Sequence, residues 1–118
     1  LTIEHELWTV RLGAAAKADF RDIIQWTLDR FGERPAIVYR DTLVAALEAL
    51  ADGPTTMGVK ERPDIAKGLF TLHIAREGRR GRHLVLFRVA AKGRPRRIEV
   101  LRLLHDAMDL DRYVPDRR

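Results

Sequence analysis

Cysteine is absent from the 118 residues, and so is serine. The first absence excludes disulfides and thiolate chemistry and fits a reducing compartment; the second excludes a serine nucleophile. No apolar run approaches the roughly 18 residues that a membrane-spanning helix needs. The opening Leu1-Thr2-Ile3-Glu4-His5-Glu6 lacks the basic and then apolar order of a secretory signal. These absences set the expectation of a cytoplasmic chain with no membrane partner. His5, His73, His83 and His105 are scattered without metal-ligand spacing, and there is no glycine-rich phosphate loop. Neither a metal nor a cofactor is therefore expected.

What is present is a globular balance, 46% hydrophobic and 33% charged, in a length that suits one domain spanning 1–118. The net charge of +5, from 22 basic against 17 acidic side chains, favours acidic partners such as nucleic acid, an acidic protein segment or a ribosome.

Leu7 to Leu12 alternates as a first strand, which Gly13 ends. From Ala14 to Phe31, Phe20, Ile23, Ile24, Leu28 and Phe31 recur at helical spacing with Thr27 on the same stripe; Trp26 lies beside it. The stripe predicts one buried face. After Gly32, a link of about four residues leads to a second helix that starts near Pro35. That helix buries Ala36, Tyr39, Leu43, Ala46, Leu47 and Leu50 and stops at Asp52-Gly53-Pro54. Gly53 to Gly68 reads as a loop with at most a short turn of helix or strand. Leu69–Arg76, His83–Ala90 and Arg97–Leu104 follow as strands joined by antiparallel hairpins, the middle one apolar on both faces and so central. A short helical turn is expected over Met108–Val114. The predicted class is α+β, ordered β-α-α-β-β-β, with a helical hairpin on an antiparallel sheet.

Four segments of this chain resemble the ParE branch of the RelE/ParE superfamily of toxins from type II toxin–antitoxin systems. They are the helix junction Leu28-Asp29-Arg30-Phe31-Gly32-Glu33-Arg34 and the turn Leu50-Ala51-Asp52-Gly53-Pro54. The strand Gly81-Arg82-His83-Leu84-Val85-Leu86-Phe87-Arg88-Val89 and the ending Leu104-His105-Asp106-Ala107-Met108-Asp109-Leu110-Asp111 complete the set. Together they cover residues 8 to 114; the Thr55–Lys67 loop and the arginine-rich turn at Arg76–Arg82 depart from the pattern. The resemblance implies a small toxin held inactive by a cognate, DNA-binding, ParD-like antitoxin, with DNA gyrase as target through a trapped cleavage complex. For the RelE branch it implies instead a ribosome-dependent messenger-RNA endonuclease. A third reading is a non-toxic interaction module of the same fold.

A nuclease needs a base for the 2′-hydroxyl, an acid for the leaving oxygen and cations for the phosphate. Arg82, His83, Arg88, Arg102 and His105 are the candidates, with His73 beside them. Simple alternation puts His83 and Arg88 on opposite faces, which argues against one joint centre. Without catalysis, His83 reads as a strand-start histidine bonded to backbone. His105 then ties the last strand to the turn at Met108–Asp109, and Asp106, Asp109 and Asp111 are caps and surface charges. For target binding the candidates are Arg79, Arg80, Arg82, Met108 and Asp109. For antitoxin binding they are Trp26 and Tyr39, beside the helix hairpin, although core-edge packing is the simpler reading of Trp8 and Trp26. Arg76, Arg79, Arg80 and Arg82 crowd the first hairpin turn, Lys92, Arg94, Arg96 and Arg97 the second. Consecutive turns lie at opposite ends of a sheet and need not form one patch.

Overall fold

The computed structural model describes residues 8–90 and 96–108. Strand β1 is Thr9–Leu12, helix α1 Ala14–Phe31 and helix α2 Glu33–Ala49, which tightens into a 3-10 turn at Leu50–Asp52. Strands β2 (Lys60–Glu61), β3 (Leu69–His73), β4 (His83–Ala90) and β5 (Arg97–His105) follow.

The helix link is one residue, not four. Gly32 takes φ 94°, which only glycine adopts without a Cβ penalty. Its N–H closes α1 on Leu28 O at 3.0 Å, and its carbonyl already accepts the Ala36 N–H of α2. Pro35 therefore falls in the first turn of α2, where a missing N–H costs little.

The five strands form one sheet in the order β1-β5-β4-β3-β2. β1 runs parallel to β5, with Thr9 opposite Arg97 and Leu12 opposite Val100; the other pairs are antiparallel. The sheet is thus mixed rather than wholly antiparallel, because the helical hairpin returns the chain before the later strands form, and β1 then joins the last of them. β4 is central, and Leu84–Phe87 are buried on both faces. Between β4 and β5 the register slips: Leu86 faces Arg102 while Phe87 faces Val100, leaving Leu101 as an extra residue. Such a bulge re-aims the side chains that follow it.

The helix side of the sheet holds the larger core, in which Leu43, Ala46 and Leu50 meet Leu72, Ile74, Val85, Phe87, Ile98 and Val100. Each large aliphatic buried there contributes roughly 1.5–3 kcal/mol. Phe20, Ile23 and Ile24 pack partly buried against it. The stripe on α1 is not buried along its whole length: Leu28 is 39% and Phe31 62% exposed. The last turn of α1 is left without strand cover.

The opposite face of the sheet is closed by the chain's own long loop. Ile65 is buried with Leu69, Leu84, Leu86 and Leu104, and the loop is held by Arg62 N–H to Leu69 O (2.8 Å) and Ile65 N–H to Arg62 O (3.0 Å). β3 ends at His73 rather than Arg76, because the Ala75 N–H leaves the ladder and donates to Nδ1 of His73 at 3.0 Å. β5 runs one residue past Leu104. The expected turn at Met108–Val114, apart from Met108 itself, lies outside the described residues.

Candidate functional site

Where the last turn of α1 and the first turns of α2 lie across from the β3–β4 turn, they enclose a groove of about 890 Å³. One wall is apolar: Trp26, Phe31, Pro35 and Val38. Trp26 is 55% exposed. It carries Arg30 over its ring at 5.2 Å and Phe31 edge-on at 5.8 Å. Trp26 is therefore a wall of the groove rather than a core-edge residue. The facing rim is cationic. Arg34, Arg79, Arg80 and Arg82 all line the groove, and among the described residues no aspartate or glutamate does.

Tyr39, His83 and His105 line the floor, and hydrogen bonds through Arg82 tie it to Asp106 and His73 outside the lining. The Tyr39 hydroxyl, on α2, accepts the Arg82 N–H at 3.0 Å and sits 2.6 Å from Nδ1 of His83. The tautomer of His83 decides which of the two, phenol O–H or Nδ1–H, is the donor in that short contact. His83 and His105 are register partners at the end of β4 and β5, and their rings meet edge-on at 5.3 Å. The Ala107 N–H donates to Nδ1 of His105 at 3.1 Å. An amide can only donate, so that Nδ1 is unprotonated. Ala75 fixes His73 in the same way, leaving Nε2–H of His73 to donate to Asp106 at 2.9 Å. Asp106 also receives Arg82 Nε at 3.1 and 3.2 Å.

Two groups in this set titrate far from their ordinary values. Burial, and then the neighbouring His105, pushes His83 down to about 4, so the ring is neutral at physiological pH. The hydrogen bonds from Arg82 and then His73 hold Asp106 at about 2, a carboxylate throughout. Burial raises the Tyr39 phenol above its usual value. The short-range logic needs Gly81: a Cβ there would stand 2.5 Å from Cδ1 of Ile74 and 3.3 Å from the Tyr39 hydroxyl.

The structure redistributes the residues singled out by sequence. Arg79, Arg80 and Arg82, read as target contacts, and Trp26 and Tyr39, read as antitoxin contacts, line one and the same groove. His83 and His105 join them; His83 is bonded to the Tyr39 side chain rather than to backbone. Arg88 and Arg102 do not. Arg88 is exposed and pairs with Glu99 at 3.4 Å. Arg102 binds Asp19 of α1 through Nε (2.7 Å) and Nη2 (2.9 Å), and the Leu103 N–H donates to the same carboxylate at 2.9 Å. Met108 is 42% exposed and does not line the groove; Asp109 lies outside the described residues. Asp106, read as a cap or surface charge, is instead the acceptor that joins His73 to Arg82. Nothing in the spacing of His73, Arg82 and Asp106 along the chain points to that contact; only the hairpin register brings them together.

A family model for the ParE toxin of type II toxin–antitoxin systems (parDE) matches residues 10–110. The chain belongs to the ParE toxin family. Toxin ParE1 of Caulobacter vibrioides is 30% identical over 99 residues, covering 84% of this chain and 90% of that protein. A chain from the chromosomal ParDE toxin–antitoxin system of P. aeruginosa superposes with a TM-score of 0.64 at 24% identity, covering 86% of this chain and 98% of that one. A YoeB/ParE toxin from Agrobacterium tumefaciens superposes with a TM-score of 0.52 at 14% identity, covering 82% and 96%. At these identities the two structures bear on the fold alone. Among the described residues, no helix is long and apolar enough to cross a membrane.

As chemistry, the groove combines apolar surface, guanidinium charge and imidazole nitrogen. A general base needs an unprotonated nitrogen free to reach the substrate, and for His83 that depends on its tautomer. In all three described histidines Nδ1 is already engaged.

Proposed function

We propose that this ParE-family toxin acts in the cytoplasm by contact, binding DNA gyrase and trapping its cleavage complex, and that a cognate ParD-like antitoxin silences it by occupying the groove beside the helix hairpin. The observation that carries this reading is the groove itself. It joins an exposed apolar wall to four arginines, and among the described residues no acidic side chain lines it. Such a surface holds an amphipathic, acidic protein segment. The test is a supercoiling and cleavage assay with purified gyrase and folded toxin. Inhibition with accumulation of the cleaved-DNA complex is expected; full supercoiling with no trapped complex would sink the target assignment. Placement of the antitoxin is tested separately by co-expression. Trp26→Ala with Phe31→Ala should weaken neutralisation, and unchanged neutralisation would move the antitoxin elsewhere.

The alternative, a ribosome-dependent messenger-RNA endonuclease, draws support from one observation. His83, His105 and Arg82 do meet at the groove. It predicts cuts positioned on codons of programmed ribosomes. It fails if cells expressing His83→Ala and Arg82→Ala variants are arrested as fully as those expressing the unaltered toxin.

A further inference from the structure

We infer that the floor of the groove is an oxyanion subsite, built from the Nε2–H groups of His83 and His105 and the guanidinium charge of Arg79 and Arg80, and that its ligand is a carboxylate carried by an apolar-flanked protein segment. The inference rests on the reading of the groove as a protein-partner site and adds the chemistry that the partner must bring.

The argument starts from which nitrogen each ring has left. The Ala107 amide makes Nδ1 of His105 an acceptor, and we assign the same role to Nδ1 of His83, with the Tyr39 O–H as donor across their 2.6 Å contact. A neutral imidazole has one donor and one acceptor, so Nε2 carries the proton in each ring and is the nitrogen left for the groove. His83 stays neutral because it is buried and lies beside His105. Its donor form therefore does not depend on an incidental proton. Both rings line the groove and their centroids are 5.3 Å apart, close enough for one anion to meet both. Arg82 is already satisfied by Asp106, so the attracting charge comes from Arg79 and Arg80, both exposed on the rim.

Carboxylate is chosen over phosphate because of the wall. Val38 at 59% and Phe31 at 62% exposure, with Pro35 in the first turn of α2, are surfaces that aliphatic and aromatic side chains of a protein cover; a sugar–phosphate strand would leave Val38 and Pro35 unmatched. Tyr39 is a positioning residue, because it sets the His83 tautomer without itself meeting the anion.

The test titrates phenylbutyrate, its neutral analogue phenylbutyramide, phenyl phosphate and a short single-stranded DNA into the isotope-labelled full chain. The imidazole nitrogen resonances of His83 and His105 are followed by NMR. Phenylbutyrate should shift both Nε2 signals and bind about tenfold more tightly than the amide, the size of one hydrogen bond to a charged group. His83→Phe with His105→Phe, which keeps ring volume, should abolish that preference. Tyr39→Phe should release His83 into a mixture of tautomers and reduce the preference, an effect that packing alone would not produce. Equal binding of acid and amide would overturn the proposal, and so would a preference that survives loss of both rings. Tighter binding of phenyl phosphate or DNA would overturn the carboxylate assignment and make this a nucleic-acid contact. None of these outcomes touches the antitoxin placement, which stands or falls on the Trp26 and Phe31 variants.

Discussion

Strand β4 carries a candidate nuclease side chain near each end, and the two ends have different surroundings. At its start, His83 meets Tyr39 from α2, His105 from β5 and the β3–β4 turn, and the ring is half-buried and held neutral. Near its end, Arg88 lies on the other side of the strand, exposed and paired across the ladder with Glu99. The two residues are five apart in sequence, yet one belongs to a groove and the other to a surface ion pair. The difference is made by what crosses over each end. The helix hairpin bends at Gly32, and its junction comes to lie beside the start of β4. A second element placed against a strand end creates enclosure, changes pKa values and gathers charge.

The comparison can be broken in several ways. The largest effect should come from reversing charge on the groove rim. Arg79→Glu with Arg80→Glu should abolish growth arrest on expression without antitoxin, while Arg88→Ala leaves it intact, as scored by plating. Equal behaviour of the two variants would erase the distinction between the ends. Next is the tie between α1 and β5. Asp19→Ala removes three hydrogen bonds at once, two of them from a guanidinium, in a pair whose side chains are 24% and 14% exposed. It should cost about 2–4 kcal/mol in chemical denaturation. Gly81→Ala should cost about 1–3 kcal/mol by forcing the buried Ile74 aside. It should also disturb the Tyr39 contact, visible as a change in the His83 imidazole signals.

The pH response separates the ends by another route. Folding lowers His83 from 6.5 to about 4. The unfolded chain thus binds a proton that the folded chain refuses. The stability from this group is full above pH 6.5 and is lost as pH falls toward 4. Asp106, lowered from 3.8 to about 2, acts further down: its contribution is present above pH 3.8 and disappears as pH falls through 2. Urea midpoints should therefore drop between pH 7 and 4.5, and His83→Phe should flatten that slope; a slope unchanged in the variant would assign it to other groups. The smallest effect is Arg88→Ala, within about 0.5 kcal/mol of the parent, since an exposed pair is screened by solvent.

Much of the fold was legible because periodicity reports directly on local geometry. The bounds of α1 and β4 follow from apolar spacing, and Gly13, Gly32 and Gly53 mark real breaks. The errors share a cause. Periodicity says which face of α1 is apolar; it does not say how far the sheet extends beneath it, so Leu28 and Phe31 were expected in the core and stand at the surface. The Gly53–Gly68 segment reads as a loop, and its Ile65 gives no hint that it plugs the second face of the sheet. Alternation correctly separates His83 from Arg88, but the register shift at Leu86/Phe87, with Leu101 left over in β5, is invisible to alternation, and beyond it Arg102 reaches Asp19 on α1.

By itself the sequence determined the element order, the family through its four matching segments, and the chemical inventory: no thiol, no serine hydroxyl, an excess of arginine. Those properties are carried by neighbours along the chain. Only the tertiary structure decided that residues sorted into a target set and an antitoxin set share one groove, and that Asp106 joins His73 to Arg82. It also decided that His83 and His105 line that groove with Nδ1 already engaged. Tyr39 and His83 are 44 residues apart, and His73 and Asp106 are 33 apart. Such contacts depend on the parallel β1–β5 pairing, the one-residue helix turn and the strand register acting together, and each is a long-range choice that no local pattern encodes.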